Sequence, residues 1–327
     1  MPTTPMEYIW PGIIAAQAIY AATKLRIPDL LAAGPKSVAV LASDCAAHPP
    51  TLERLLRALA SIEMFALEPD GRFCNTPLTE VLRADHRESQ RESVLFLPAP
   101  FLWRPLGELY DSVRTGEPAF PRIFGQHFFQ YLSAHPSDAE IFNTVMTQGI
   151  QWTTPALLAA YDFSRFQCIV DVGGGEGALL RDILAATPEL RGILFDLPQV
   201  VSGAAAILSS DVAARCQIVG GSFFDSVPEG GNAYLMKGVI HDWPDDDAVK
   251  ILQNIRRVIP PGGTLLLVES LVDSKARPAG LADMLMLAIG GRERTEADFR
   301  SLLTSTQFSL TSIIATEASS VIECHPV

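Results

Sequence analysis

Ile169-Val-Asp-Val-Gly-Gly-Gly-Glu-Gly-Ala178, running on into Leu179-Leu-Arg-Asp-Ile-Leu184, decides how this chain folds. A short apolar run ends in an acid, Asp171, turns through Gly173, Gly174, Gly175 and Gly177, and passes into an apolar segment with helical spacing. Strand, tight turn, helix is the opening unit of a doubly wound, Rossmann-like α/β sheet. Glycine is called for where the backbone takes unusual angles and a ligand must approach the main chain. The turn therefore marks a ligand site at the carboxyl end of the first strand.

Outward from that turn the chain alternates. Strands are expected near 168–172, 192–196, 216–220, 232–237 and 264–269, with helical patterns between them and two closing strands at 309–316 and 320–325. Alternation of this kind predicts a parallel sheet with helices on both faces. Ligands bind such sheets at the carboxyl ends of the strands. Those ends carry Asp171 with Gly173 and Gly175, Asp196 with Leu197, Ser222 and Phe223, Lys237 and then His241, and finally Glu269. Asp196 could cap the helix begun at Pro198; its register favours a contact to a ribose.

The charges at the turn select the ligand. Gly173, Gly175 and Ala178 fit the dinucleotide pattern G-x-G-x-x-A, yet Asp171 and Glu176 flank them and no Lys or Arg appears until Arg181. A pyrophosphate would meet two carboxylates, whereas a cation would be favoured. S-adenosylmethionine, with its sulfonium and ammonium groups, suits this turn better than a nicotinamide dinucleotide.

The whole chain adds bounds. It has 327 residues, 37 acidic against 25 basic, for a net charge of −12. That balance argues against nucleic acid or an anionic membrane as partner. No apolar run has the length of a membrane span, and Met1-Pro-Thr-Thr-Pro5 lacks the features of a signal peptide, so a cytoplasmic protein is expected. The five cysteines lack disulfide or zinc spacing and are expected to be free thiols.

Two domains are expected: 1–94, mainly helical, and 95–327, with a helical lead-in over 95–165 and the Rossmann-like core over 166–327. Pro11–Arg26 is a helix candidate apolar on all sides, which suggests burial against another chain. Helices over 37–46 and 50–61 follow, the second with Leu52, Leu55, Leu56 and Leu59 in one stripe, then a hairpin turning at Pro69-Asp70-Gly71. This is a winged-helix order, but the would-be recognition helix carries Leu and Ala where a DNA reader needs a basic face. A packing and dimerisation module is the reading taken. The aromatics between Phe96 and Phe142 are core or the wall of a pocket for a flat substrate.

His241 is the natural general base, since imidazole exchanges a proton near neutral pH. Asp245-Asp246-Asp247 after Pro244 is read as an acidic helix start; no metal is expected.

Taken together, Asp171-Val-Gly-Gly-Gly175, Leu235-Met-Lys-Gly-Val-Ile-His-Asp-Trp243, Leu265-Leu-Leu-Val-Glu269 and Gly290-Gly-Arg-Glu-Arg-Thr295 resemble the small-molecule O-methyltransferases of the caffeate and hydroxyindole type. Leu55-Leu-Arg-Ala-Leu-Ala60 and Asp70-Gly-Arg-Phe73 extend the resemblance through the front half. It implies a homodimer held by a winged-helix-like N-terminal domain, and metal-independent methyl transfer from S-adenosylmethionine to a small, usually aromatic, hydroxyl compound. It also implies that Glu269 and Glu293 flank His241 and orient it, and that Gly173, Asp196, Phe223 and Lys237 hold the cofactor. The family carries Asp where this chain has Ser222. The rival readings are a nicotinamide-dependent oxidoreductase on the same glycine turn and a non-catalytic, ligand-binding winged-helix regulator.

Overall fold

The computed structural model describes residues 4–208, 210–273, 280–317 and 319–327, and the chain divides into two compact units, Met1–Arg104 and Pro105–Val327. In the first unit, helices α1 (Pro5–Lys24), α2 (Ile27–Leu30), α3 (Val38–Asp44) and α4 (Pro49–Ala60) precede a hairpin of β1 (Phe65–Leu67) and β2 (Phe73–Asn75). Its core is the Leu stripe of α4 (Leu52, Leu56 and Leu59) packed on Ile27, Leu41, Phe65 and Phe73. The hairpin turns where the sequence places it: Gly71 takes φ +84° and Asp70 accepts from the Arg72 amide at 3.2 Å. Ahead of the expected start, α1 begins at Pro5 and runs on through an internal proline, Pro11. It ends at Lys24, and Arg26 turns the chain in the left-handed region at φ 57°.

In the second unit, a lead-in of short proline-punctuated helices ends in the long helix Pro136–Ala160. The sheet follows: β3 (Cys168–Val172), β4 (Arg191–Asp196), β5 (Cys216–Gly220), β6 (Ala233–Lys237), β7 (Thr264–Glu269), β8 (Phe308–Ala315) and β9 (Ser320–Pro326). Their order across the sheet is β5-β4-β3-β6-β7-β9-β8, parallel from β5 to β7 and antiparallel in the last pairings. Alternate residues feed opposite faces: Val170, Tyr234, Met236, Leu265 and Leu267 join one apolar cluster, while Ile169, Leu235, Leu266 and Val268 join the other. Helices cover both faces, which is why these strands read as unbroken apolar runs. The chain leaves β3 toward β5 on one side and returns to β6 on the other, so the switch point lies between β3 and β6. That crevice is where such a sheet holds its ligand. Among the described residues, no helix is long and apolar enough to cross a membrane.

Candidate active site

At the end of β3 the glycine turn is folded directly over Asp171. A Cβ on Gly174 would lie 2.7 Å from the Asp171 carboxyl and 2.6 Å from Leu194, and Gly173 holds φ +73°. The Gly173 amide donates to the Phe195 carbonyl at 2.8 Å, tying the turn to β4. The space above Gly175 is open, with no atom within 4 Å of where its Cβ would be, and φ there is +61°. Main chain is thus exposed to a ligand at one defined point.

Asp196, ending β4, accepts from the Gly175 amide at 2.8 Å and from the Leu197 amide at 2.6 Å. This fixes the turn and the second acid in one register. After β5, Ser222 accepts from the Phe224 amide at 3.2 Å through its Oγ, and Asn254 donates to the carbonyls of Phe223 and Phe224. Phe223 meets the edge of Trp243 at 5.9 Å between ring centroids, and Phe129 stacks on the same indole at 5.4 Å. Of the lead-in aromatics, Phe120 and Phe128 are buried core, whereas Phe129 reaches this rim.

On the other side of the crevice, His241 sits on a short 3-10 turn, Ile240–Asp242, just beyond β6. Its Nδ1 lies 2.9 Å from Glu293 Oε1. A carboxylate only accepts, so Nδ1 carries the proton and Nε2 is the basic nitrogen of the neutral ring. Nε2 lies 3.5 Å from Asp242 Oδ1 and faces the main chain of Gly238. Glu269 does not bond the ring. Its Oε1 accepts the amides of Val239 and Ile240, at 3.2 and 2.9 Å, and so holds the turn that carries the ring.

The electrostatics are those of an acid-rich cavity. Burial, reinforced by Asp196, pushes Asp171 up to about 7, with Lys237 opposing. Burial also raises Asp196 and Glu269 and lowers Lys237. Burial works against a charged imidazole, yet Asp242, Glu269 and Glu293 overcome it and hold His241 up at about 10. Asp242 is itself raised to about 7, chiefly by burial. The carboxylates exceed the cations that face them. Asp171 Oδ2, Glu269 Oε2, Glu293 Oε2 and the Trp243 indole nitrogen are buried with no hydrogen-bond partner among the described residues. Orphaned buried polar atoms at one rim, with surplus negative charge, fit a cationic ligand with hydrogen-bonding groups of its own.

Asp171, Asp196, Lys237 and Glu269 stand at the ends of β3, β4, β6 and β7, and Glu293 reaches His241 from the segment after the helix Gly280–Ile289. Sequence reasoning passed over others. Arg294 is 1% exposed and donates to the Ile240 and Trp243 carbonyls at 2.8 and 2.9 Å, and to Asp245. Asp283 accepts the Glu293 amide at 2.8 Å. Asp245 and Asp247 at the acidic helix start are engaged by Arg294, Arg292 and Lys250. Arg294 lies within the Gly290–Thr295 run that carries the resemblance, Asp283 had no local signal, and Asp245 and Asp247 were read only as a helix start.

A doubly wound sheet with this acid-rich rim fits an S-adenosylmethionine-dependent transferase. Residues 106–309 match the O-methyltransferase domain and residues 8–85 the O-methyltransferase dimerisation domain. The phenazine O-methyltransferase PhzM of Lysobacter antibioticus is 37% identical over 97% of this chain and 94% of its own length. The 8-amino-8-demethylriboflavin N,N-dimethyltransferase of Streptomyces davaonensis is 35% identical over 95% of this chain and 91% of its own. Among solved structures, the neocarzinostatin-biosynthesis O-methyltransferase in complex with S-adenosylmethionine and 2-hydroxy-5-methyl naphthoic acid superposes with a TM-score of 0.88 at 32% identity, covering 96% of both chains. The chain belongs to the S-adenosylmethionine-dependent O-methyltransferase family.

Proposed function

We propose that this enzyme methylates a hydroxyl on a small aromatic, secondary-metabolite acceptor, with His241 as general base, and that it works as a homodimer. The observation that carries the reading is the His241–Glu293 bond, which leaves Nε2 as the basic nitrogen at the ligand rim. S-adenosylmethionine supplies the electrophilic methyl group. Asp171, Gly173, Gly175, Asp196, Leu197, Ser222, Phe223 and Lys237 are the residues that would hold it, and the surplus carboxylate complements its positive charge.

An aromatic hydroxyl has a pKa of about 10 and is largely un-ionised at neutral pH. His241 Nε2 takes its proton as the oxygen becomes nucleophilic, and Glu293 and the Glu269-held turn keep the ring aimed. The cofactor-free cavity holds His241 protonated below about 10. A positive charge brought to the rim opposes that proton and releases the base form at lower pH. The cofactor's charge thus supports binding and readies the base together.

The dimer reading is supported by the dimerisation-domain match and by α1, whose Met6, Tyr8, Ile9, Trp10, Ile13 and Ile14 are exposed on an unpartnered apolar surface. One relative is named for transfer to nitrogen, so the acceptor atom is the point to test. The enzyme is incubated with methyl-labelled S-adenosylmethionine and matched phenol and arylamine panels, and products are located by mass spectrometry. Label on aromatic oxygen is expected; label on nitrogen alone would overturn the assignment.

A further inference from the structure

Each residue of the segment Gly291–Arg294 meets the turn that carries His241, and by a different means. At Gly291 there is no side chain, and a Cβ there would collide with the His241 carbonyl and lie 3.1 Å from Asp242 Cα. Arg292 donates its amide to the His241 carbonyl at 2.6 Å. Glu293 accepts from the imidazole. Arg294 sends its guanidinium to the carbonyls on either side, Ile240 at 2.8 Å and Trp243 at 2.9 Å. The same guanidinium is held on Asp245 Oδ1 at 3.0 and 2.7 Å, while the Arg294 carbonyl accepts from Val272 at 3.1 Å, just beyond β7. The fully buried guanidinium makes four bonds from one planar fork to two carbonyls and a carboxylate, where an ammonium has three donors on a single nitrogen.

We propose that Arg294 is a positioning residue for methyl transfer: it clamps both ends of the His241 turn, and the bare backbone of Gly291 lets the clamp close. The proposal rests on His241 being the base. Aim within a fraction of an ångström is what a proton-transfer geometry demands, and a small displacement of the turn is felt in rate. Arg294 touches neither of the imidazole nitrogens. It acts through the carbonyls and through Glu293 next to it.

The test compares Arg294→Lys, which keeps the charge but loses the fork, with Gly291→Ala, which leaves Arg294 intact and forces the turn away. Three readouts are taken: turnover, S-adenosylhomocysteine affinity by calorimetry, and the titration of His241 in the cofactor-free protein by NMR of imidazole-labelled chain. Both variants are expected to lose about 10- to 100-fold in kcat, the range seen when residues that orient a reactive group are changed. Affinity for S-adenosylhomocysteine should stay within a few-fold. The His241 titration should fall toward the ordinary value of about 6.5 as Glu293 loses its alignment. Turnover and titration both at wild-type values, with only the melting temperature lowered, would make Arg294 a plain structural residue and overturn the proposal. A fall in turnover with the titration unmoved overturns it too, since Arg294 would then act other than through His241. A titration that moves while turnover stays at the wild-type level removes His241 as base, and the positioning role with it. Should Arg294→Lys fail to fold, Gly291→Ala decides by the same readouts.

Discussion

On the β3–β4 side of the switch point, the rim is made of glycine and main chain. Gly173, Gly174 and Gly175 let the backbone close over Asp171, and Asp196 pins the turn through two amides. On the β6–β7 side, the rim is made of long side chains held by other side chains: His241 by Glu293, its turn by Glu269 and Arg294, and Arg294 by Asp245. Under the proposed function, the difference follows from two tasks. A cofactor with many polar groups is bound by exposed amides and a charge environment, which tolerate some play. A base must be aimed, and aiming requires more constraints on the ring than the ring has ways to move.

The sharpest way to break that comparison is to remove the proposed base, His241. His241→Ala should lower turnover by about a hundred- to ten-thousand-fold, the usual contribution of a positioned general base. Because no side-chain atom of His241 contributes to the glycine turn, S-adenosylhomocysteine affinity should stay within a few-fold by calorimetry. Loss of cofactor binding in this variant would show that the two sides of the rim are not separable. The complementary change is Gly174→Ala. Its methyl group would enter the space of Leu194 and the Asp171 carboxyl, and overpacking of this kind costs about 1–3 kcal/mol. Expressed in binding, that is about 5- to 150-fold weaker S-adenosylhomocysteine affinity. Turnover at saturating cofactor should change far less, so the two substitutions should split KM from kcat in opposite ways.

A smaller effect separates Glu269 from the imidazole whose turn it holds. Glu269→Gln keeps an oxygen that can still accept the Val239 or Ile240 amide, and His241 keeps its nitrogen, so about a two- to ten-fold loss in kcat is expected, below that of His241→Ala. Equal losses in the two variants, measured side by side, would mean that Glu269 does more than hold the turn.

The β3–β4 side could be read from the sequence and the β6–β7 side only in part. Glycine turns and strand-end acids are local: Asp171, the glycines and Asp196 fall at fixed offsets from apolar runs whose period gives the strands. His241 could be found because histidine is rare and its place at a strand end is local too. Arg294 could not, because nothing in an Arg flanked by Glu293 and Thr295 distinguishes a buried clamp from a solvated surface charge. Its partners Ile240, Trp243 and Asp245 lie about fifty residues away, and their carbonyls have no signature in the sequence. Glu269 was expected from resemblance to flank His241 and orient it; that it acts through the Val239 and Ile240 amides follows only from how β7 lies beside β6.

The last contrast concerns charge within the β6–β7 side. Asp242 lies 3.5 Å from His241 Nε2, the nitrogen that Glu293 leaves basic, and raises the imidazole together with Glu269 and Glu293. A raised pKa means that the ring stays protonated over a wider range, so the base form appears only as pH climbs toward about 10 in the cofactor-free enzyme. Asp242→Asn removes one negative charge from that nitrogen while keeping the side chain's shape. An opposite charge at such range typically shifts a pKa by about one to three units, so the base form should appear at lower pH by that order. Asp242 is itself raised to about 7 and titrates with the histidine, so the wild-type limb belongs to the pair rather than to either group. The measurement is the rising limb of kcat/KM against pH in both proteins, with enzyme integrity checked by S-adenosylhomocysteine binding at each pH. The limb should move to lower pH in Asp242→Asn, leaving the variant comparatively more active on the acid side. A limb that stays in place would show that Asp242 does not act electrostatically on Nε2 and that Glu293 alone sets the ring's proton. Turnover lost at every pH, with S-adenosylhomocysteine binding intact, would mean that Asp242 itself takes the proton, and the base would then be Asp242 rather than His241.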